Sequence, residues 1–236
     1  MGRRMDTGRK LIVGEALGDV FALYRRHFGV LIPIAFWLFL AVSVLAGIAG
    51  TSFGLTLVVG VLALAVGTLY QGMVVRLVDE THSGRGASSI GELIASVGPV
   101  LTTLVAAGLV AAAGIVLGLA FFIVPGCILM TIWAVIAPVV VIERRALTDA
   151  FDRSRELVRN FGWPVFGTVI SAKLIAALVT IVLVELGGAI ADGPILRIVL
   201  VALAATFAAP IEGLVAAVLY YRLLVLKNEA PASVLE

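Results

Sequence analysis

The fold class of this chain is decided by residues 122–165, which read FIVPGCILMTIWAVIAPVVVIERRALTDAFDRSRELVRNFGWPV. Within this stretch an apolar run with two prolines ends in Glu-Arg-Arg, an amphipathic segment follows, and an aromatic residue opens the next apolar run. This order predicts a helix that crosses a bilayer, a second helix that lies on its basic side, and a third helix that re-enters the bilayer. The stretch therefore indicates a polytopic membrane protein.

The composition of the whole chain supports the same class. Its 236 residues are 61% hydrophobic and 14% charged, whereas soluble domains carry about a quarter of charged residues. Residues 28–75 and 93–142 contain no Asp, Glu, Lys or Arg, and each block is long enough for two spans of roughly 20 residues. A third double-length block, residues 160–221, carries five charges. We therefore predict an all-α membrane protein with six transmembrane helices.

The apolar blocks divide into six spans within one membrane domain, residues 11–227. Pro138 lies inside the fourth span and is expected to kink it. Pro125-Gly126 either makes the preceding turn or opens that span. The spans are placed at about residues 28–47, 54–75, 99–122, 125–142, 163–186 and 195–224.

Amphipathic helices that lie in the membrane interface are predicted at residues 11–27 and 148–161. In both segments apolar residues recur at helical spacing between charged residues, as in helices that rest on a bilayer. Thr148 is expected to cap the second of these helices. Residues 76–87 are predicted to form a polar loop, followed by a brief helix from Ser89 with a capping-box glutamate three places on.

The distribution of Lys and Arg predicts the orientation. Fifteen of the 17 basic residues fall at the N-terminus, in the loops after spans two and four, or at the C-terminus. The opposite side has only Arg197, and Lys173 lies inside span five. The positive-inside rule therefore puts both termini in the cytoplasm. Residues 1–10 are predicted to be a basic disordered N-terminus and residues 228–236 a loose tail.

A threefold repeat is one interpretation of the layout. Each pair of spans is preceded by an amphipathic segment that ends on a glycine, Gly29, Gly98 or Gly162, with a proline soon after. Three units of interfacial helix plus hairpin would be related by an axis along the membrane normal. Chance recurrence in a chain with 25 glycines is the alternative.

Short motifs in the second half of the chain carry a family resemblance. They are Val124-Pro125-Gly126, the run PVVVIE at 138–143, Ala150, Arg153-Ser154, Leu157-Val158-Arg159, Trp163 and Leu219-Tyr220-Tyr221-Arg222-Leu223. Together they resemble the family named after the membrane domain of glycerophosphoryl diester phosphodiesterase, which includes uncharacterised bacterial membrane proteins. The resemblance covers residues 124–227, and the first half matches by layout. Many relatives carry an acidic residue where Arg222 stands here.

The resemblance implies a membrane domain and not an enzyme. In some relatives such a domain precedes a phosphodiesterase barrel that uses carboxylates, histidines and a divalent metal. No such barrel is expected here, since the two histidines lie at the predicted membrane boundary and the acidic residues are scattered. The sequence also has no Gly-rich phosphate loop, His-Glu-x-x-His motif or nucleophile elbow. We therefore predict no enzymatic activity, no cofactor and no metal site.

Two charges at bilayer depth are the strongest indication of a site, because each costs roughly 2.5–3.5 kcal/mol on insertion scales. Lys173 lies about 15 Å into span five and Glu212 about 18 Å into span six, at 1.5 Å per residue. Similar depth on adjacent spans predicts an ion pair. The pair either fixes the register of the two spans or forms a polar midplane site for a substrate or proton. The remaining alternative is that one side chain snorkels to the interface and the two do not meet.

A second group of charges lies where span four leaves the membrane. Glu143 is expected to pair with Arg153 or Arg159 and to clamp the following helix on the surface. The alternative is a lipid head-group site in which Arg153 and Arg159 hold a phosphate. Arg144 and Arg145 complete this candidate clamp or head-group site.

Two functions are consistent with these features. The first is a non-enzymatic integral protein of the bacterial inner membrane, acting as a scaffold or lipid-associated domain with its basic helices on anionic lipid. The alternative is a small transporter or channel that uses Lys173 and Glu212. Anionic head groups are the predicted partners and nucleic acid is not. Assembly with other membrane proteins or as a homo-oligomer stays open.

Overall fold

The computed structural model describes residues 11–83, 90–190 and 193–229. Within these ranges the chain is helical and forms no strand. Six stretches are long and apolar enough to cross a membrane, which confirms the predicted all-α class and is consistent with a multi-pass integral membrane protein. The predicted disordered N-terminus, residues 1–10, and residues 230–236 of the predicted tail lie outside the described residues.

The helices follow the predicted order of short amphipathic helix and paired spans. A 3₁₀ turn, Gly98–Val100, joins α4 to α5, and a π-helical segment, Ile181–Leu186, joins α9 to α10. The helices are α1 Val13–Arg26, α2 Phe28–Ala49, α3 Phe53–His82, α4 Ile90–Val97, α5 Leu101–Phe121, α6 Ile123–Ile132, α7 Ile136–Ile142, α8 Leu147–Val158, α9 Gly162–Thr180, α10 Gly187–Ile190 and α11 Pro194–Leu226.

Span two is longer than predicted, because α3 continues to His82. The prediction of a polar loop from Arg76 is therefore wrong up to that residue. Leu77 and Val78 are buried, and Arg76 forms an ion pair with Asp79 one turn later at 3.2 Å. The polar side chains are thus satisfied on a packed helix. Residues 84–87 of the predicted loop, and the predicted cap Ser89, lie outside the described residues.

Span four is broken earlier than the predicted kink at Pro138. α6 ends at Ile132, α7 begins at Ile136, and a tight turn separates them. Pro138 is the third residue of α7, where its missing N–H is tolerated, and its ring excludes a continuous helix through the preceding turn. Pro125 similarly occupies the third position of α6, so Pro125-Gly126 opens span four and the turn is made at Phe122.

The prediction that Thr148 caps the helix after span four is wrong. α8 begins at Leu147, its N-cap is Ala146, and no side chain caps it. The Thr148 hydroxyl instead donates to Asp149 Oδ1 at 3.4 Å. The helix ends at Val158, before the predicted 161, because Asn160 adopts a left-handed conformation with φ 76°.

Successive contacts close a ring of spans. α2 packs on α3, α3 on α5, α5 on α6, α6 on α9, α9 on α11, and α11 on α2. α11 also contacts α3 across the ring, and α7 packs against both. We call the end that carries α1, α8 and the C-termini of α3 and α11 the basic end, and the opposite end the far end.

Burial is concentrated in the half of the molecule near the basic end. The buried residues of α3 all lie between Tyr70 and Glu80. On α11 burial is almost uninterrupted from Pro210 to Leu224, with only scattered buried residues before it. Six consecutive residues of α7 are buried as well. α7 therefore fills the centre of the bundle near the basic end, whereas α6 packs on α5, α8 and α9 at the rim.

Candidate functional site

The structure brings the two intramembrane charges together. Lys173, on α9, donates from Nζ to Oε1 of Glu212, on α11, at 3.1 Å. The side chains are 44% and 50% exposed, so the pair is not enclosed by protein. Glu212 is the one exposed residue between Pro210 and Tyr221 on an otherwise buried stretch of α11. The pair therefore faces open space and does not form part of the packed core.

That space is a cavity of about 610 Å³ lined by all six spans. Its walls are mainly small and apolar, and on α5 and α11 they are rich in glycine and alanine. α11 contributes a stripe at helical spacing, Ala205, Ala208, Ala209 and Glu212. A cavity of this volume is within the range of small-molecule sites, about 300–1,000 Å³. Few of the described lining residues are polar, which is typical of small-molecule sites, where a few polar groups fix the orientation of the ligand.

Gln71 and Thr68 of α3 also line the cavity, on the same helical face as Leu64 and Gly67. The Thr68 hydroxyl donates to the Ala65 carbonyl at 2.9 Å. Within the described part of the chain, the Gln71 side-chain amide makes no hydrogen bond. An amide at bilayer depth without a protein partner requires water or a ligand group.

The polar groups of the cavity lie at similar depth although three helices carry them. At 1.5 Å per residue, Gln71 and Lys173 lie about 16 Å and Glu212 about 21 Å from the ends of their helices at the basic end. Gln71 was not among the residues predicted from the sequence, because those were chosen for their charge. The signal was present, since Gln71 lies inside an otherwise apolar, uncharged block.

The turn between α6 and α7 forms the cavity wall nearest the basic end. Trp133 and Ala134 line the cavity there, and the Trp133 ring packs edge-on against Phe151 of α8 at 5.0 Å. The break leaves the Ile132 carbonyl without its helical partner, and the buried Ser154 hydroxyl of α8 donates to it at 2.8 Å. α8 thus seals the broken span, a role for Ser154 that the sequence did not indicate.

The predicted clamp at the basic end takes a more specific form than expected. Glu143 accepts hydrogen bonds from Arg145 at 2.7 Å, from Arg153 at 3.1 Å and from the Tyr220 hydroxyl at 3.1 Å. Arg153 also pairs with Glu156 and Glu229. The side chains of Arg153 and Glu143 are 12% and 16% exposed. We call these residues the basic-end cluster.

Two of the predicted residues lie outside the basic-end cluster. Arg144 and Arg159 are exposed, and the ion-pair partners of Glu143 within the described ranges are Arg145 and Arg153. Arg144 has a positive φ of 53°, which turns the chain between α7 and α8. The structure therefore resolves the choice between Arg153 and Arg159 in favour of Arg153.

The electrostatics of the basic-end cluster follow from its hydrogen bonds. Burial raises the pKa of Glu143, but the hydrogen bonds from Arg145, Arg153 and Tyr220 outweigh burial and hold the pKa below its ordinary value. Burial lowers the pKa of Arg153, whereas its carboxylate partners Glu229 and Glu143 raise it, and the net direction is upward. Both groups are thus held in their charged forms, as expected of a structural ion network.

A second set of contacts joins α1 to α11. Arg222 donates to Asp19 at 2.6 Å and to Glu15 at 3.3 Å. The neighbouring Tyr221 hydroxyl donates to Asp79 at 2.6 Å, and the Tyr221 ring stacks on His82. Arg222 therefore has acidic partners on α1 that lie about 200 positions away in sequence, where periodicity could not reveal them.

No group of three or more His, Cys, Asp or Glu side chains in the described ranges is placed to hold a metal ion. The cavity, by contrast, is lined by the polar side chains of Lys173, Glu212 and Gln71. They present an ammonium, a carboxylate and an amide to one cavity, which is chemistry suited to a binding site.

Comparison with protein-family models, curated proteins and solved structures found no match to this chain.

Proposed function

We propose that this protein is a non-enzymatic integral protein of the bacterial inner membrane that binds one amphiphilic, lipid-like molecule in its cavity. The observation that carries the proposal is that Gln71, Lys173 and Glu212 line, at similar depth, a cavity whose walls are mainly apolar. Apolar walls suit an acyl chain, and the polar groups suit a head group.

The hydrogen-bonding capacity of these groups supports a bound molecule. A lysine ammonium has three N–H donors, and Lys173 uses one of them on Glu212. Glu212 Oε2 and the amide of Gln71 have no hydrogen bond within the described residues. Polar groups without hydrogen bonds in hydrocarbon cost several kcal/mol each, so a ligand head group or water has to supply the missing hydrogen bonds.

The basic-end cluster favours a structural role over the lipid head-group site that the sequence left open. Arg153 already pairs with Glu143, Glu156 and Glu229, which leaves it little capacity for a phosphate. Arg144, Arg155 and Arg159 are exposed near the same end and suit a loose electrostatic contact with anionic lipid. We infer from the positive-inside rule that the basic end and both termini are cytoplasmic.

Fluorescence quenching can test the proposed lipid binding. Trp37→Phe and Trp163→Phe remove two exposed tryptophans and leave Trp133, which lines the cavity. Lipid brominated in its acyl chain should quench Trp133 saturably when added at low mole fraction to vesicles that contain the protein.

A matched pair of substitutions separates cavity binding from general lipid contact. Ala112 lines the cavity, whereas its neighbour Ala113 is exposed on the outside of α5. Ala112→Phe should abolish the saturable quenching and Ala113→Phe should leave it unchanged. Equal quenching in the two variants would refute a ligand in the cavity.

Transport is the second candidate function, because the Lys173–Glu212 pair is reached from open space at bilayer depth. Packing around α7 closes the cavity toward the basic end, so transport would require that half to open. In a Cys127→Ala background, an impermeant thiol reagent should label Ala112→Cys from one side of the membrane if the protein only binds. Labelling from both sides would favour transport.

A further inference from the structure

We infer that the ligand of the cavity is a zwitterion that presents a primary ammonium to Glu212 and an anionic group to Lys173. This inference rests on the proposed binding function and adds the chemical class of the ligand. It follows from the charges, the spare hydrogen-bonding groups and the size of the cavity, considered in turn.

Among the described residues, the charged side chains that line the cavity are one lysine and one glutamate, whose formal charges cancel. An anionic head group would take Lys173 from Glu212 and leave a carboxylate unpaired at bilayer depth. A cationic head group would leave the ammonium unpaired. A zwitterion replaces one ion pair with two and leaves neither charge alone, which is the arrangement that a low-dielectric site favours.

The spare donors and acceptors match an ammonium that carries N–H groups. Glu212 Oε2, the Gln71 side-chain carbonyl and the lone pairs of the Thr68 hydroxyl, whose hydrogen is donated to Ala65, are acceptors. The two remaining Lys173 N–H groups and the Gln71 amide NH₂ are donors for a phosphate or carboxylate. A quaternary ammonium has no N–H for these acceptors, so a primary ammonium should bind more tightly than a choline group.

The dimensions of the site are consistent with a head group and part of its chains. The cavity of about 610 Å³ has walls lined by residues such as Gly67, Gly108 and Ala208 around the polar groups. The half-exposed state of Lys173 and Glu212 shows that the polar groups are reached from outside. The shared chemistry is found both in an ethanolamine phospholipid and in a water-soluble zwitterion, and the experiment distinguishes these sources.

The test compares head groups on identical brominated chains. The protein with Trp133 as its sole tryptophan is placed in phosphatidylcholine vesicles, and brominated phosphatidylethanolamine, phosphatidylcholine or phosphatidylglycerol is added at low mole fraction. Phosphatidylethanolamine should quench at least about tenfold more effectively than phosphatidylglycerol, because the latter leaves a charged group without its hydrogen bond. Phosphatidylcholine should fall between the two.

Substitution of the pair should change the preference in a defined direction. Glu212→Gln leaves Lys173 alone and should shift the preference to phosphatidylglycerol. The exchange Lys173→Glu with Glu212→Lys keeps a neutral pair and should keep the preference for phosphatidylethanolamine. Arg197→Gln removes an exposed charge at the far end and should change nothing.

A water-soluble source is tested by adding phosphoethanolamine. If it relieves the quenching by phosphatidylethanolamine, the zwitterion chemistry stands and the ligand is a soluble molecule. Equal quenching by all three lipids, with the Ala112→Phe effect intact, would overturn the zwitterion and leave lipid binding. Loss of any difference between Ala112→Phe and Ala113→Phe would overturn the proposed function itself.

Discussion

The basic-end cluster and the cavity pair use the same kinds of charge in opposite ways. Glu143 and Arg153 are largely covered, and each has several partners from different helices. Lys173 and Glu212 are half exposed and have one hydrogen bond between them. Glu143 and Arg153 use their hydrogen-bonding groups on other residues of the protein, whereas Lys173 and Glu212 retain donors and acceptors that a ligand can bind. The number of unused hydrogen-bond donors and acceptors, and not the charge, therefore distinguishes a structural site from a candidate binding site.

The difference extends to the halves of the molecule that hold these sites. Near the basic end, α7 fills the centre and α1 and α8 cover the outside, so the spans pack on protein. Toward the far end span four continues as α6 on the rim, and Phe53–Leu69 of α3 has no buried residue. The turn between α6 and α7 accounts both for the filled half near the basic end and for the open half toward the far end, because it moves span four from the rim to the centre.

The largest expected effect is the loss of Glu143. Glu143→Ala should lower the free energy of unfolding by about 3 kcal/mol, because the largely covered Arg153 and the Tyr220 hydroxyl both lose the carboxylate that they share. Glu212→Gln should cost less than about 1 kcal/mol, since its pair is half exposed. Thermal unfolding of both variants in detergent measures the contrast. Equal losses would show that the two sites do not differ in structural role.

The next effect concerns the α5–α6 hairpin, which is tightly packed although it lies in the open half. A Cβ on Gly126 would meet the backbone of Leu119 at 2.6 Å, whereas a Cβ on Gly60 meets nothing within 4 Å. Gly126→Ala should cost about 2 kcal/mol by forcing the helices apart. Gly60→Ala should be neutral or slightly stabilising. If thermal unfolding shows no loss for Gly126→Ala, α5 and α6 are not tightly packed at this glycine.

A smaller effect is expected where α8 seals the broken span. Ser154→Ala leaves the Ile132 carbonyl unsatisfied and should cost about 1.5 kcal/mol. Thr148→Ala, at the position predicted to cap the same helix, should change stability by less than about 0.5 kcal/mol. Chemical or thermal unfolding of the two variants measures the difference. A greater loss for Thr148→Ala would restore the capping role.

The smallest expected effect is a pH dependence that originates at the basic end. Burial and the neighbouring Arg26 lower the pKa of His27 from 6.5. The unfolded chain then binds this proton more readily than the folded one, so stability is complete above pH 6.5 and falls as pH drops through the folded pKa. The melting temperature of the unmodified protein should decrease from pH 7.5 to 5.5. The melting temperature of His27→Gln should decrease less over the same range. An unchanged slope in His27→Gln would assign the effect to other groups.

Much of the topology could be predicted from local pattern, and the errors have a common cause. Residues 76–82 look like a loop because five of the seven are charged or polar. In the structure, however, Leu77 and Val78 are buried and the Tyr221 hydroxyl donates a hydrogen bond to Asp79. Thr148 is of a residue type that is preferred as an N-cap, but α8 begins one residue before it. For α3 the contact with Tyr221 comes from a segment distant in sequence, which periodicity cannot register.

The sequence by itself determined the class, the six spans and the depth of Lys173 and Glu212, because bilayer thickness and the cost of buried charge act on local composition. Only the tertiary structure decided that Gln71 shares a cavity with that pair, that Arg153 and not Arg159 binds Glu143, and that α7 closes one half of the bundle. These outcomes depend on which helices meet. Helices meet through packing of side chains from distant segments, and that packing is a property of the whole fold.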